Sequence, residues 1–169
     1  MDLLPEHGAH VLDVGAGSGR DADALAKMGY RVTAVEPSAG MRKLAKEAHP
    51  NPEIVWVDDS LPLLGRVLAL GRRYQFILVS AVWMHLDHSE RPTAMLNLAR
   101  LLSPKGKMGI TLRIGPEVDE RSIHKVNEEE VLSLGVKNGL VPLYVGRMTR
   151  DPLNRRDVRW KKVAFERRV

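Results

Sequence analysis

Cysteine is absent from all 169 residues. That excludes disulfides, thiolate metal sites and any mechanism that attacks through a cysteine sulfur. Aromatic residues make up only 5% of the chain, and no interleaved aromatic and basic motif for stacking nucleobases is present. No apolar run approaches the roughly 20 residues that a membrane-spanning helix needs. The N-terminus lacks a basic-then-apolar leader pattern, so the expected compartment is the cytoplasm, with no membrane partner. No cluster of metal-ligand spacing stands out, and no metal site is expected. What the chain does have is 44% hydrophobic and 28% charged residues, an ordinary balance for one globular domain over residues 1–169.

The formal net charge is +5, unevenly spread. From Arg147 to Val169 there are nine Lys/Arg against three Asp/Glu. Such a tail suits either an acidic partner such as RNA or a solvated final strand whose charges protect a sheet edge. The second reading is preferred here.

Short β-branched runs alternate with helical patterns, which argues for βαβ units and a largely parallel sheet. Strands are expected near 10–14, 31–36, 54–58, 76–80, 107–113, 140–146 and 158–166. Helices are expected over 19–28, capped by Ser18 with Asp21 and stopped at Gly29, and after Ser38, burying Met41, Leu44, Ala45 and Ala48. Further helices fall at 63–71, at 90–102, and from Asn127 with Glu130 as a capping pair to Gly139. In the last strand Val158 and Trp160 alternate, Lys161 and Lys162 intervene, and Val163 and Phe165 resume on the other phase. That slip predicts a β-bulge at Lys161–Lys162.

The most informative stretch is Val11-Leu-Asp-Val-Gly-Ala-Gly-Ser-Gly-Arg20, with Ala34-Val-Glu-Pro-Ser38 after it. A buried strand enters a turn with glycines at 15, 17 and 19, a helix follows, and the next strand ends on Glu36. This is how an α/β protein holds an adenosine-containing cofactor, with the acid on the ribose hydroxyls. The spacing is G-x-G-x-G. The dinucleotide fingerprint G-x-G-x-x-G needs a glycine where this chain has Arg20, and its pyrophosphate sits on a helix N-terminus. S-adenosylmethionine carries no phosphate. Its ammonium and sulfonium ask for backbone carbonyls and carboxylates nearby, whereas Glu36, which accepts from ribose hydroxyls, suits either cofactor.

On these residues the chain resembles the class I S-adenosylmethionine-dependent methyltransferases over nearly its whole length. Asp58-Asp-Ser-Leu-Pro62 resembles the segment after strand three, Tyr74-Gln-Phe-Ile-Leu-Val-Ser80 strand four, and Leu101-Leu-Ser-Pro-Lys-Gly-Lys-Met-Gly109 the turn into strand five. The resemblance implies a three-layer Rossmann-like sandwich. Its mostly parallel seven-stranded sheet would have the order 3-2-1-4-5-7-6, with strand 7 antiparallel. It implies S-adenosyl-L-methionine as cofactor and S-adenosyl-L-homocysteine as product. Asp13 and the backbone of Gly15, Ala16, Gly17 and Gly19 would face the methionine part, and Glu36 the ribose. Pro37 and Met41 would lie beside the adenine, Asp58, Asp59 and Ser60 along its polar edge, and Ser80 at the sulfonium.

Methyl transfer is an in-line displacement in which alignment supplies much of the rate. Should a base act, His85 is the candidate, being an imidazole placed just after strand four. Trp83 is a candidate for stacking on a planar acceptor, with a core role the preferred reading, and His88 is read as solvated. Arg113 and Arg121 are candidates to bind an acceptor carboxylate, against surface pairing with Glu117, Asp119 or Glu120. Without cysteine, covalent C5-cytosine methylation is excluded. The absence of an Asn/Asp-Pro-Pro-aromatic motif removes support for amino methylation of DNA bases. Only about nine residues precede the first strand, where many relatives carry covering helices. The pocket is therefore expected to be open or covered by a partner subunit or second copy, or else the chain is a fragment. The leading expectation is a methyltransferase for a small-molecule acceptor. The alternatives are one acting on RNA or protein through the basic segment, and a noncatalytic cofactor-binding subunit.

Overall fold

Adjacent residues Val11, Leu12 and Val14 are all but fully buried, which a strand achieves only inside a sheet covered on both faces. The computed structural model describes residues 3–168, apart from the Arg121 side chain. The elements are β1 (His10–Val14), α1 (Arg20–Lys27), β2 (Arg31–Val35), α2 (Ala39–Ala48), β3 (Ile54–Val57), α3 (Gly65–Ala69), β4 (Tyr74–Val79), α4 (Arg91–Leu101), β5 (Leu102–Ile114), α5 (Glu128–Lys137), β6 (Leu140–Val145), β7 (Thr149–Arg150) and β8 (Arg159–Arg167). Short 3-10 turns occupy Trp83–His85 and Asp119–Arg121.

One sheet runs in the order β3-β2-β1-β4-β5-β8-β6, with the two-residue β7 paired to β8 beside that path. Strands β1 to β5 are mutually parallel, and β8 is antiparallel to both β5 and β6. This is the expected Rossmann-like order, with β8 in the place of the seventh strand. One face packs Leu12, Val14, Ile77, Val79 and Met108 against Val67 of α3, Met95 and Leu98 of α4, and Val131 of α5. The other packs Val11, Val32, Ala34 and Phe76 against Ala22, Leu25 and Ala26 of α1. Because β1 to β5 are parallel, their carboxyl ends share one edge, and ligands bind along that edge in such sheets.

Several local expectations are corrected. Helix α1 has Gly19 as its N-cap, with φ 81° and no side-chain cap; Ser18 does not cap it, and the Asp21 carboxylate lies 3.1 Å from Arg20 Nε. In α2 the Ser38 hydroxyl accepts from Met41 N at 3.3 Å, but Leu44 is 58% exposed and Ala45 is the buried residue. A helix leading to the terminal strand β3 has little sheet to cover. In α5 Asn127 accepts from Glu129 N, while Glu130 turns away to meet Arg91 and His88.

The bulge lies elsewhere. The β5–β8 register runs without interruption through Leu112↔Lys161 and Thr111↔Lys162. The register shifts fall between Pro142 and Tyr144 of β6 in its pairing with β8 and between Tyr74 and Phe76 of β4 in its pairing with β5. Lys161 is in phase with Val163 and Phe165, and its ammonium leaves the covered face by pairing with Glu128 of α5. An apolar stem with a paired head satisfies a buried-side position, so the sequence pattern mimics a slip.

Candidate cofactor and acceptor site

The β1–α1 turn is shaped by its glycines. Gly15 has φ +71°, and a Cβ there would meet Val82 Cγ2 at 2.4 Å. Gly19 has φ +81°, and a Cβ there would come within 3.1 Å of Ala45 and the Trp56 ring. Both positions combine a left-handed backbone with a filled space, so no larger residue fits. The Gly15 and Ala16 amides donate to the Val35 carbonyl at 2.8 and 2.9 Å, tying the turn to the end of β2. Glu36, which follows β2, is buried. Its Oε2 accepts from Gly17 N and its Oε1 from Ser38 N, each at 2.9 Å. Each carboxylate oxygen has capacity for another donor, so Glu36 can hold the turn and still accept from a vicinal diol.

Beneath the turn, Asp13 is 2% exposed, and its Oδ2 has no hydrogen-bond partner. Burial, reinforced by the Asp21 carboxylate, pushes its pKa up to about 7. An unpartnered buried acid oxygen is costly unless a donor or cation arrives to meet it. Asp13, Asp21 and Glu36 together make the turn a place for positive charge and a poor one for a pyrophosphate.

The turn opens on a cavity of about 360 Å³ lined by Val14, Gly15, Glu36, Pro37, Asp59, Ser60, Leu61, Ala81, Val82, His85, Leu86 and Glu90. The far wall follows β4. Ala81 adopts φ +57°, a strained conformation for a residue with a Cβ. The Ala81 amide donates to the Thr111 hydroxyl of β5 at 2.7 Å, and the bend lays Val82 against Gly15. His85 Nδ1 lies 3.1 Å from the Ser122 carbonyl. A carbonyl only accepts, so Nδ1 carries the proton and Nε2 is the acceptor nitrogen of the neutral ring.

A family model described as "Methyltransferase domain" matches residues 11–106, more than half of the chain. The chain belongs to the methyltransferase-domain family. It is 29% identical over 128 residues to an uncharacterized methyltransferase of Alkaliphilus oremlandii, covering 73% of this chain and 56% of that one. It is 36% identical over 102 residues to a ubiquinone biosynthesis O-methyltransferase of Xanthomonas oryzae pv. oryzae, covering 60% and 41% respectively. The chain thus spans about half the length of these relatives. Among solved structures it resembles magnesium protoporphyrin IX methyltransferase of Synechocystis with bound S-adenosylmethionine, at TM-score 0.75 and 19% identity, over 95% of this chain and 71% of that one. A TehB-like S-adenosylmethionine-dependent methyltransferase of Corynebacterium glutamicum gives TM-score 0.70 at 20% identity, over 97% and 83%. Those two likenesses concern the fold.

In this methyltransferase domain the structure brings Gly15, Glu36, Pro37, Asp59, Ser60 and His85 to one cavity. Gly17 borders it through the Glu36 bond, and Met41 Cε lies 4.0 Å from where a Gly17 Cβ would stand. Asp58 points elsewhere, pairing with Arg42 and Arg66 at 3.2 Å each. The Asp59 carboxylate receives the Ser60, Arg66 and Val67 amides, so it organises the start of α3. Ser80 lines a different concavity, on the sheet face toward Phe76 and Leu78. Trp83 is fully buried in the core with its Nε1 unpartnered and does not line the cavity. His88 pairs with Glu130 at 2.9 Å. Arg113 is 3% exposed; it bonds the Pro116 carbonyl and makes none of the acidic surface pairs. The side chain of Arg121 lies outside the described residues.

Four residues escaped the sequence reading. Arg42 bridges the Glu36 carbonyl at 2.7 Å and the Asp58 carboxylate. Thr111 holds the Ala81 turn. Glu90 lines the cavity, and its carboxylate accepts from Asp87 N while Asp87 accepts from Glu90 N, a reciprocal cap whose D-x-x-E spacing was legible. Arg91, wholly buried, donates to the Leu86 carbonyl, the Lys125 carbonyl and Glu130; nothing in its neighbours marks it.

The basic C-terminal segment is divided by the fold. Arg167 bonds the Ala99 and Leu102 carbonyls at the opposite edge of the sheet, and Lys161 pairs with Glu128. Among the described residues no helix is long and apolar enough to cross a membrane, and no group of three or more His, Asp or Glu is placed to hold a metal.

Proposed function

We propose that this domain binds S-adenosyl-L-methionine with its methionine part at the β1–α1 turn and its nucleoside in the adjoining cavity, and transfers its methyl group to a small-molecule acceptor at the His85 end of that cavity. The observation that carries the reading is the unpartnered buried oxygen of Asp13 beneath a glycine turn closed by Glu36. It fits a cationic nucleoside at both ends: Asp13 meets an ammonium, and Glu36 accepts from ribose hydroxyls. Pro37 and Met41 offer apolar surface beside the base. The volume of about 360 Å³ falls within the range of small-molecule sites. The O-methyltransferase named among the relatives favours a modest organic acceptor over a polymer.

The cofactor supplies an electrophilic methyl whose carbon–sulfur bond breaks as the acceptor's lone pair attacks. This chain's residues align and desolvate. Val82 and Leu86 exclude water beside the methyl path, and the Ala81 bend fixes the wall opposite Gly15. For a hydroxyl acceptor, His85 Nε2 receives the proton released, while its Nδ1–H stays on the Ser122 carbonyl and holds the ring. S-adenosylhomocysteine formation on a panel of catechols and amines, with wild type and His85→Gln, tests this. Hydroxyl acceptors are expected to lose about 10²-fold or more in kcat in the variant, with cofactor affinity unchanged. Absence of turnover on every small acceptor, with turnover on RNA, refutes the small-molecule reading.

A further inference from the structure

Strand β6 is antiparallel to β8, which is antiparallel to β5, so the β6–β8 connection stands on the same sheet edge as the cavity. It lies two strand positions from β4, about 10 Å along that edge at the usual strand spacing. The connection reads Arg147-Met-Thr-Arg-Asp-Pro-Leu-Asn-Arg-Arg-Asp-Val-Arg159. Every basic residue in it is arginine, the side chain whose planar fork matches carboxylate and phosphate oxygens two at a time.

A single acid builds this hairpin. Asp151 is buried and accepts from the Leu153 and Arg155 amides at 3.1 Å each, from Arg155 Nε and Nη2 at 2.9 and 2.8 Å, and from Trp160 Nε1 at 2.7 Å. The Arg155 guanidinium holds the Asp151 carboxyl well below the usual carboxylate range. That fold of the turn consumes one arginine. Arg150, Arg156 and Arg159 remain exposed, and no described carboxylate pairs with any of them. Arg159 is oriented by bonds from Nη1 to the Arg156 and Val158 carbonyls at 2.9 and 3.0 Å. The three surround a polar hollow of about 200 Å³ with Asp151, Asn154 and Arg155. Behind them stands Arg113, a buried cation whose Nε has no partner; its guanidinium lies 3.4 Å from where a Gly115 Cβ would stand, beside the Asp157 carbonyl. Asp157 is the only other acid of the connection. Unpaired like charges gathered on an ordered turn destabilise the free protein, and an anion relieves them.

We infer that the β6–β8 hairpin is an anion-recognition site that holds the carboxylate or phosphate of the methyl acceptor through Arg150, Arg156 and Arg159. The inference rests on the proposed methyltransferase activity and assigns its substrate class: an acceptor that carries a carboxylate or phosphate besides the nucleophile it presents at the His85 end. The cavity wall selects the nucleophile, and the hairpin selects the charge.

Fluorine NMR on 5-fluorotryptophan protein reads both sites in one spectrum. Trp56 packs beside Gly19 of the cofactor turn, and Trp160 bonds the hairpin acid Asp151. S-adenosylhomocysteine is expected to move Trp56. Inorganic phosphate and benzoate, added next, are expected to move Trp160 saturably, while neutral benzamide leaves it in place. R156Q/R159Q is expected to weaken both anions about tenfold or more and leave the Trp56 response intact. The inference is overturned by a Trp160 signal indifferent to both anions, or by a double variant that titrates like wild type. An oligouridylate that moves Trp160 about 100-fold more tightly than phosphate, with a steep salt dependence, assigns the hairpin to nucleic acid instead. A Trp56 signal that ignores S-adenosylhomocysteine removes the cofactor reading itself, whatever Trp160 does.

Discussion

Two residues of the site are held in states their neighbours impose. Asp13 has a pKa of about 7, against an ordinary 3.8, so the native fold binds a proton that the unfolded chain releases. Its contribution to stability is complete below pH 4 and is lost as pH rises to about 7, at a cost on the order of 4 kcal/mol. Asp13→Asn removes the slope: urea unfolding is expected to show a variant that gains on wild type from pH 5 to 8. A cationic cofactor draws on the ionised form, so wild-type affinity for S-adenosylmethionine is expected to rise over the same interval. The Asp13→Asn variant is expected to show a flat profile. An unchanged slope in the variant places the titration elsewhere. Ala81, at φ +57°, is held by the Thr111 hydroxyl. Thr111→Val is expected to cost about 1 kcal/mol of stability, and Ala81→Gly to restore most of it by accepting the bend without strain. Equal losses from the two changes, simply added, contradict this account of the turn.

At the scale of elements, the segment carrying His85 is held by Arg91. This buried guanidinium ties the Leu86 carbonyl to Lys125 and to Glu130 of α5. Removing it strands Glu130 and two carbonyls. Arg91→Leu is expected to cost about 3 kcal/mol or more in denaturant unfolding, whereas His88→Ala, on the exposed side of the same Glu130, is expected to stay near or below 1 kcal/mol. Comparable losses would mean that Glu130 is braced equally from both sides. The elements also show which sequence signals held. Gly15, Gly17, Gly19 and Glu36 were readable because a left-handed bend and a strand-end acid each demand particular residue types. The β8 bulge was misread because Lys161 occupies a covered position through its alkyl stem and pairs at its tip, which period-2 patterning scores as a polar, outward residue. Thr111 was invisible because its partner lies 30 positions away in sequence, and Arg91 because its Lys125 and Glu130 partners lie 34 and 39 positions away.

At the scale of the molecule, alternating strand and helix patterns made a largely parallel sheet legible, while the strand order came through the family resemblance carried by the β1–α1 motif. Short, largely apolar runs in β1 and β4, broken only by Asp13 and Gln75 inside them, announced strands buried on both faces. The fate of the basic tail was not legible. Charge counting treats Arg147 to Val169 as one surface, whereas the antiparallel β8 carries Arg159 and Arg167 to opposite edges of the sheet. Only the arginines of the β6–β8 connection remain beside the cavity edge, which recasts a diffuse basic tail as a compact hairpin. The whole account depends on the glycine turn and Glu36 cradling a sulfonium nucleoside. Calorimetry of wild type and Glu36→Ala against S-adenosylmethionine, S-adenosylhomocysteine and NAD tests it most directly. Wild type is expected to bind the first two and not NAD, and Glu36→Ala to bind them at least about tenfold more weakly. Tight binding of NAD, or S-adenosylmethionine binding indifferent to Glu36, would contradict it.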